Sequence, residues 1–186
     1  MKDLNLFRVG DSLCLRRVNR KVDVSGGCDG YLIEGSEKVA RSIIASLGDK
    51  KFKGKIGFVG GDGSLNRRAV ESLKIDYLVS PEALTGKDTL KQRDSGLNHV
   101  VAKMAKEKGI LVVVDFGEIA SLKGKEKARR IARVMQNVDV CRKVGCGIRI
   151  ASLAGSKKDV VSELGRKAFG VTLGMSSSEI RDCVKF

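Results

Sequence analysis

Few residues in this chain are equipped for covalent or metal-assisted chemistry. His99 is the only histidine. The sequence therefore assembles neither an imidazole metal pair nor a nucleophile–base–orienter set, and a two-metal nuclease would have too few ligands. Asp3 and Asp115 fall near predicted strand ends, where a barrel enzyme holds its carboxylates, but two isolated acids do not make a site. The five cysteines (Cys14, Cys28, Cys141, Cys146 and Cys183) include no Cys-x-x-Cys pair. They read as small buried apolar residues, and structural zinc is not expected. The turn Gly60-Gly61-Asp62-Gly63-Ser64 follows a predicted strand and could offer backbone amides to a phosphate. A tight structural turn is the simpler reading, and neither a P-loop nor a dinucleotide fingerprint fits.

Positive charge is what the sequence has in quantity. Its 36 Lys and Arg against 22 Asp and Glu give a formal net charge of +14. Residues 1–93 carry 18 basic and 12 acidic residues and residues 94–186 carry 18 and 10, so the excess belongs to the folded body and not to a tail. Three stretches concentrate it: Arg16, Arg17, Arg20 and Lys21; Lys50, Lys51, Lys53 and Lys55; and residues 123–143, with Lys123, Lys125, Lys127, Arg129, Arg130, Arg133, Arg142 and Lys143. A polyanion is the expected partner. Aromatic residues are only 4% and tryptophan is absent, so phosphate and shape recognition fits better than base stacking.

These residues must be carried by alternating elements. Short apolar runs predict strands at 4–9, 55–59, 75–79, 110–116 and 147–151, with weaker ones at 22–24 and 31–33. The run Ile110-Leu111-Val112-Val113-Val114 is apolar on both faces, as a buried parallel strand requires. Helices are expected at 37–47, 66–73, 97–108, 124–142, 158–167 and 176–184. In the fourth, Ala128, Ile131, Ala132, Met135 and Val138 would face inward and Lys125, Arg129, Arg133 and Gln136 outward. Alternating strands and helices mean a parallel sheet with right-handed crossovers, either doubly wound or closed. With 186 residues, 42% of them hydrophobic, one Pro and no linker, a single domain over 1–186 is expected. No apolar run approaches the ~18–20 residues that cross a bilayer, the start lacks a signal-peptide core, and a cytoplasmic location without membrane contact is expected.

The stretch Arg93-Asp94-Ser95-Gly96-Leu97-Asn98-His99-Val100-Val101-Ala102-Lys103, running through Lys108-Gly109-Ile110, resembles the central signature of the archaeal and eukaryotic ribonuclease P protein family called component 3 in archaea. There an Arg-Asp-x-Gly turn opens a helix that leads into an apolar strand. Asp3-Leu4-Asn5 resembles the family's start. Arg67, Arg68, Ile75-Asp76-Tyr77-Leu78 and Ser80-Pro81-Glu82 resemble its next helix–strand pair. Ala151-Ser152-Leu153-Ala154 and Leu173-Gly174-Met175 resemble its later turns. The similarity covers nearly the whole chain. It departs at Leu153 and in the closing helix, which lacks the family's Arg-x-Pro-Arg pattern.

The resemblance implies a single-domain α/β barrel, TIM-like and related to the polymerase-and-histidinol-phosphatase barrel. In that superfamily the opening is a His-x-His metal pair, replaced here by Asp3-Leu4-Asn5. The implied role is a non-catalytic protein subunit of ribonuclease P, the endoribonuclease that removes 5′ leaders from precursor tRNA. Its partners would be the ribonuclease P RNA, the component 2 protein and, through the complex, precursor tRNA. Hydrolysis is expected from the RNA with magnesium, and no cofactor or metal in this chain. Candidate RNA contacts are Arg67, Arg68, Arg93, Lys103, Arg129, Arg130, Arg133, Arg149, Lys157 and Lys158, Arg93 from the motif and the others mainly from basic clustering. Two rivals remain open. One is a small phosphoryl-transfer enzyme using Gly60–Ser64, which resembles the GGDG(T/S) signature of the NAD kinase and diacylglycerol kinase group. The other is a degenerate metal-dependent phosphoesterase.

Overall fold

The computed structural model describes residues 3–24, 27–83, 88 and 94–186 of the chain. Seven strands, all parallel and in sequence order, form the wall: β1 (Leu4–Asn5), β2 (Leu13–Val18), β3 (Gly30–Ile33), β4 (Lys55–Val59), β5 (Tyr77–Val79), β6 (Leu111–Asp115) and β7 (Ile148–Ala151). From β3 onward the crossovers carry helices: α1 (Glu37–Asp49), α2 (Gly63–Ser72), α3 (His99–Glu107), α4 (Phe116–Ser121) and α5 (Gly124–Val144). After β7 come α6 (Glu163–Thr172) and α7 (Ser177–Asp182). The β1–β2 link has no helix; it can stay short because β1 is only two residues long.

Alternation along the strands divides the apolar residues into two sets. Leu4, Leu15, Leu32, Tyr77, Val79, Val113, Ala151 and Leu153 fill the lumen, with Phe186 edge-on to Tyr77 at 6.1 Å. Ile33, Phe58, Leu78, Val112, Val114 and Ile150 point outward and pack beneath the helices.

A seam joins the two ends of the wall. Leu153 N–H donates to Leu4 O at 2.9 Å and Leu6 N–H to Ala154 O at 3.0 Å. The Asp3 and Asn5 side chains, on the opposite face from Leu4, extend the pairing. Asp3 Oδ1 accepts from Leu4 N (2.8 Å) and Ser152 N (3.2 Å), and Asn5 Oδ1 from Ala154 N (3.1 Å). Behind them Arg166 of α6, only 3% exposed, reaches Asp3 Oδ1 at 2.9 Å and Ile150 O at 3.2 Å.

The structure differs from the sequence expectation at several elements. β2 was not foreseen, because the adjacent Arg16 and Arg17, one on each face of the strand, interrupt the apolar alternation between the buried Leu15 and Val18. The strand expected at 22–24 is instead a 3-10 turn, Lys21–Asp23. The strand expected at 4–9 stops after Asn5. The strand expected at 110–116 stops at Asp115, which caps the unforeseen α4 by accepting from Glu118 N at 2.8 Å. The helix expected at 158–167 resolves into a 3-10 turn, Lys157–Asp159, and α6.

Removing one partner from a buried pair leaves an uncompensated charge. Arg166→Met is expected to cost about 3–5 kcal/mol of unfolding free energy. The double change Arg166→Met with Asp3→Asn should recover part of that loss. Urea titration of both variants checks it.

Candidate nucleic-acid interface

The C-terminal end of the barrel is its open mouth, a cavity of about 500 Å³ lined by Arg17, Glu34, Val59, Gly60, Val79, Ser80, Ala83, Asp115, Glu118 and Leu153. It is a carboxylate site more than a phosphate site. Arg17 lies 3.6 Å from Glu34, and burial pushes the Asp115 carboxyl up to about 6. Deeper, Glu82 is fully buried and burial pushes it up to about 7, against the opposing pull of Arg130. Among the described residues no three His, Cys, Asp or Glu side chains converge where a metal ion could sit.

Helix α5 forms one wall beside this mouth, and its phase differs from the one expected. Arg130, Arg133 and Asn137 face inward. Arg130 contacts Glu118 at 3.1 Å and Glu82 at 4.0 Å. Arg133, 3% exposed, holds Asp88 through Nε at 3.0 Å and Nη2 at 2.7 Å. Asn137 Nδ2 donates to Ser95 O at 3.2 Å and Glu82 Oε2 at 3.4 Å. Met135, expected inside, is exposed. Arg133 was expected outward; its burial follows from the acids on the segment it faces. Arg130 and Arg133 are therefore corrected from candidate RNA contacts to interior ion-pair partners.

The other candidates separate by location. Arg67 and Arg68 are exposed on α2, 3.9 Å from Glu71 and 3.8 Å from Glu37 respectively. Lys103 is exposed on α3 and Arg129 on α5. Because α3 packs between α2 and α5, Arg67, Arg68, Lys103 and Arg129 share one helical flank of the barrel. Lys157 and Lys158 are exposed in the 3-10 turn at the C-terminal end of β7, on the same rim as Arg16, Arg17, Arg20 and Lys21 at the end of β2. Arg149 lies at the opposite end, near the start of β7, where its guanidinium donates to Lys185 O (2.9 Å) and Ile148 O (3.0 Å). The structure thus does not bring Arg149 to the rim or the flank. Arg93 lies outside the described residues. His99 is exposed at the first position of α3, behind the Asn98 cap.

Two lysines that clustering alone did not single out tie the flank together. Lys106 Nζ donates to Val144 O at 2.9 Å, and Lys108 Nζ to Val70 O (2.9 Å) and Glu71 O (2.6 Å). Each closes the carbonyl end of a neighbouring helix. Their place at the C-terminal end of α3, Lys106 in its last turn and Lys108 at the cap, was the available signal.

The Gly60–Ser64 turn is built into the structure. Gly61 N–H donates to Asn66 Oδ1 at 2.8 Å, and Asp62 Oδ1 takes Leu65 N at 2.7 Å. Asn66 Nδ2 donates to Gly61 O (3.1 Å), Pro81 O (2.8 Å) and Gly96 O (2.8 Å). A side chain on Gly96, at φ +71°, would lie 1.9 Å from Pro81 O. The glycines therefore permit close packing of three turns, and the amides of Gly61 and Leu65 are already engaged.

Over 127 residues the chain is 29% identical to ribonuclease P protein component 3 of Methanocaldococcus jannaschii, a match covering 67% of this chain and 52% of that protein. The chain is homologous to archaeal ribonuclease P protein component 3. The component 3 protein of Methanosarcina mazei is 27% identical over 67% of this chain and 49% of its own length. That of Thermococcus gammatolerans is 27% identical over 78% and 64%. The chain thus spans about half the length of the first two component 3 relatives. No family model matches it. In fold it resembles a chain of a cryo-EM structure of archaeal ribonuclease P with mature tRNA, at TM-score 0.67 and 24% identity over 83% of this chain and 63% of that one. It also resembles an amidohydrolase, at TM-score 0.55 and 13% identity over 83% and 40%. These likenesses establish the α/β barrel.

Two outcomes follow from the interior charges. Glu82 binds its proton more tightly folded than unfolded, so stability is expected to fall as pH rises from about 4.5 to about 7 and to stay lower above that. Glu82→Gln should flatten that fall and raise stability at pH ~8 by up to a few kcal/mol, at about 1.4 kcal/mol per tenfold change in proton affinity. Urea titrations across pH measure it. At fixed pH, Arg133→Gln should cost about 3 kcal/mol, while Arg129→Gln should change stability by less than about 0.5 kcal/mol.

Proposed function

We propose that this protein is a subunit of ribonuclease P that supports maturation of tRNA 5′ ends by binding and stabilising the RNA subunit. The observation that carries this reading is the similarity to component 3 proteins over two thirds of the chain. The barrel likeness to a chain of the archaeal ribonuclease P structure with mature tRNA supports it. The basic surface gives it a physical route. Cations on a rigid exterior can neutralise phosphates along a folded RNA, releasing counterions without reading base identity.

In this reading Arg67, Arg68, Lys103 and Arg129 on the flank, and Lys157 and Lys158 on the rim, meet RNA. The component 2 protein is a partner, precursor tRNA is met through the complex, and the assembly works in the cytoplasm. The RNA, with magnesium, carries out hydrolysis. The mouth carboxylates are engaged with Arg17, Arg130 and the α4 cap, which suits a supporting role.

The test is reconstitution. Protein freed of RNA should leave precursor tRNA uncut, and the same protein added to ribonuclease P RNA with its partner proteins should restore 5′ cleavage. Magnesium-dependent cleavage by the RNA-free protein would overturn the reading. The triple change Arg129→Gln, Lys157→Gln, Lys158→Gln should leave the fold intact and weaken RNA binding. It should also lower the slope of log affinity against log salt by roughly 0.7–0.9 for each phosphate no longer neutralised.

A further inference from the structure

The C-terminus of α5 brings two cysteines together. Gly145 adopts φ +70°, its N–H donates to Arg142 O at 3.3 Å, and Cys146 N–H donates to Cys141 O at 2.9 Å. This is a Schellman ending, which lays the residue after the glycine against the one five positions earlier, a place where two apolar side chains commonly meet. Here both are thiols in hydrogen-bonding contact with each other, and the Cys146 S–H also has Gly147 O at 3.9 Å and Ile110 O at 4.0 Å as acceptors.

The surroundings treat the two sulfurs differently. Lys106 Nζ is fixed on Val144 O, and a side chain on Gly145 would lie 3.1 Å from it. Arg149 is fixed on Ile148 O and Lys185 O. The hydrogen bond with Cys141, then burial opposing it, then Arg149 and Lys106 together hold the Cys146 thiol below its ordinary range. The same hydrogen bond keeps Cys141 protonated. Both cysteines line a cleft of about 400 Å³ whose other walls include Ser176 and Glu179 at the start of α7. An acidified thiol, a second thiol in contact with it and a cleft that admits a small molecule are the parts thiol–disulfide exchange requires.

We propose that Cys141 and Cys146 are a redox-active dithiol, closed to an intramolecular disulfide by exchange with a low-molecular-weight disulfide. The Cys146 thiolate attacks one sulfur of the small disulfide, forming a mixed disulfide and expelling the first thiolate. Cys141 passes its proton to solvent or to that thiolate, and its sulfur attacks the Cys146 sulfur and expels the second. Two protein thiols are oxidised while one small disulfide is reduced to two thiols. Reactivity governed by exposure would give the opposite order, since Cys14 and Cys28 are half-buried whereas Cys141 and Cys146 are buried.

The test treats the full reduced chain with oxidised glutathione, quenches in acid at intervals, alkylates and maps each cysteine by mass spectrometry. A Cys141–Cys146 disulfide, two hydrogens lighter, should form before glutathione appears on Cys14 or Cys28. Cys141→Ser should trap glutathione on Cys146. Cys146→Ser should leave Cys141 at least about tenfold slower to react. Circular dichroism checks that both variants are folded, and mapping of the unsubstituted chain decides the matter if either is not. Glutathione on Cys14 or Cys28 while Cys141 and Cys146 stay reduced would overturn the proposal. So would equal reactivity of the two cysteines in the two variants.

Discussion

Closure of the wall between β1 and the segment after β7 is the constraint on which the rest depends. A seven-stranded parallel sheet left open would expose the edges of β1 and β7, and its lumen side chains would lose their enclosure. The closure rests on few backbone bonds, because β1 is only two residues long. Side chains supply the remainder: Asp3 and Asn5 act as further acceptors along the seam, and Arg166 neutralises Asp3 from behind. The same residues hold Leu153 at φ +42°, a left-handed conformation that costs a non-glycine residue strain and persists because its N–H is tied to Leu4 O. An Asp-Leu-Asn start thus has a mechanical reason: two polar latches flank a side chain that fills the lumen.

Helix α5 shows a second use of charge inside the molecule. One face combines apolar Val134 and Val138 with Arg130, Arg133 and Asn137, and the segment opposite answers with Glu82, Asp88 and the Ser95 carbonyl. Ion pairs of this kind add little net stability when compared with apolar replacements. They are costly to break, however, and so fix how the helix and the segment meet.

Much of the fold was legible in the sequence. The apolar run of β6 and the helical periods of α1 and α3 carried their structure in residue type alone, as did the glycine-rich turn read as structural. Two of the illegible parts involve charge: in β2 the exposed Arg16 and Arg17 interrupt the apolar pattern of Leu15 and Val18, and in α5 only the partner across the interface reveals which arginines are internal. Arg133 and Arg129 are alike in sequence; burial against Asp88 separates the structural arginine from the exposed one. Spacing likewise gave no hint that Arg149 belongs to the far end of the barrel, because a strand does not announce which of its ends carries the functional loops.

Phe186, set against Tyr77 beside the lumen cluster, has a consequence for recognition. With apolar side chains filling the interior at that end, the barrel is a cup and not a tube, and its mouth holds Glu34, Asp115 and Glu118 with Arg17 among them. That concavity presents carboxylates beside Arg17, while the other exposed cations stand on the rim and the convex exterior. On the proposed reading, a ligand drawn to those exterior cations must bring its own concavity to a convex surface, as a large folded polymer does.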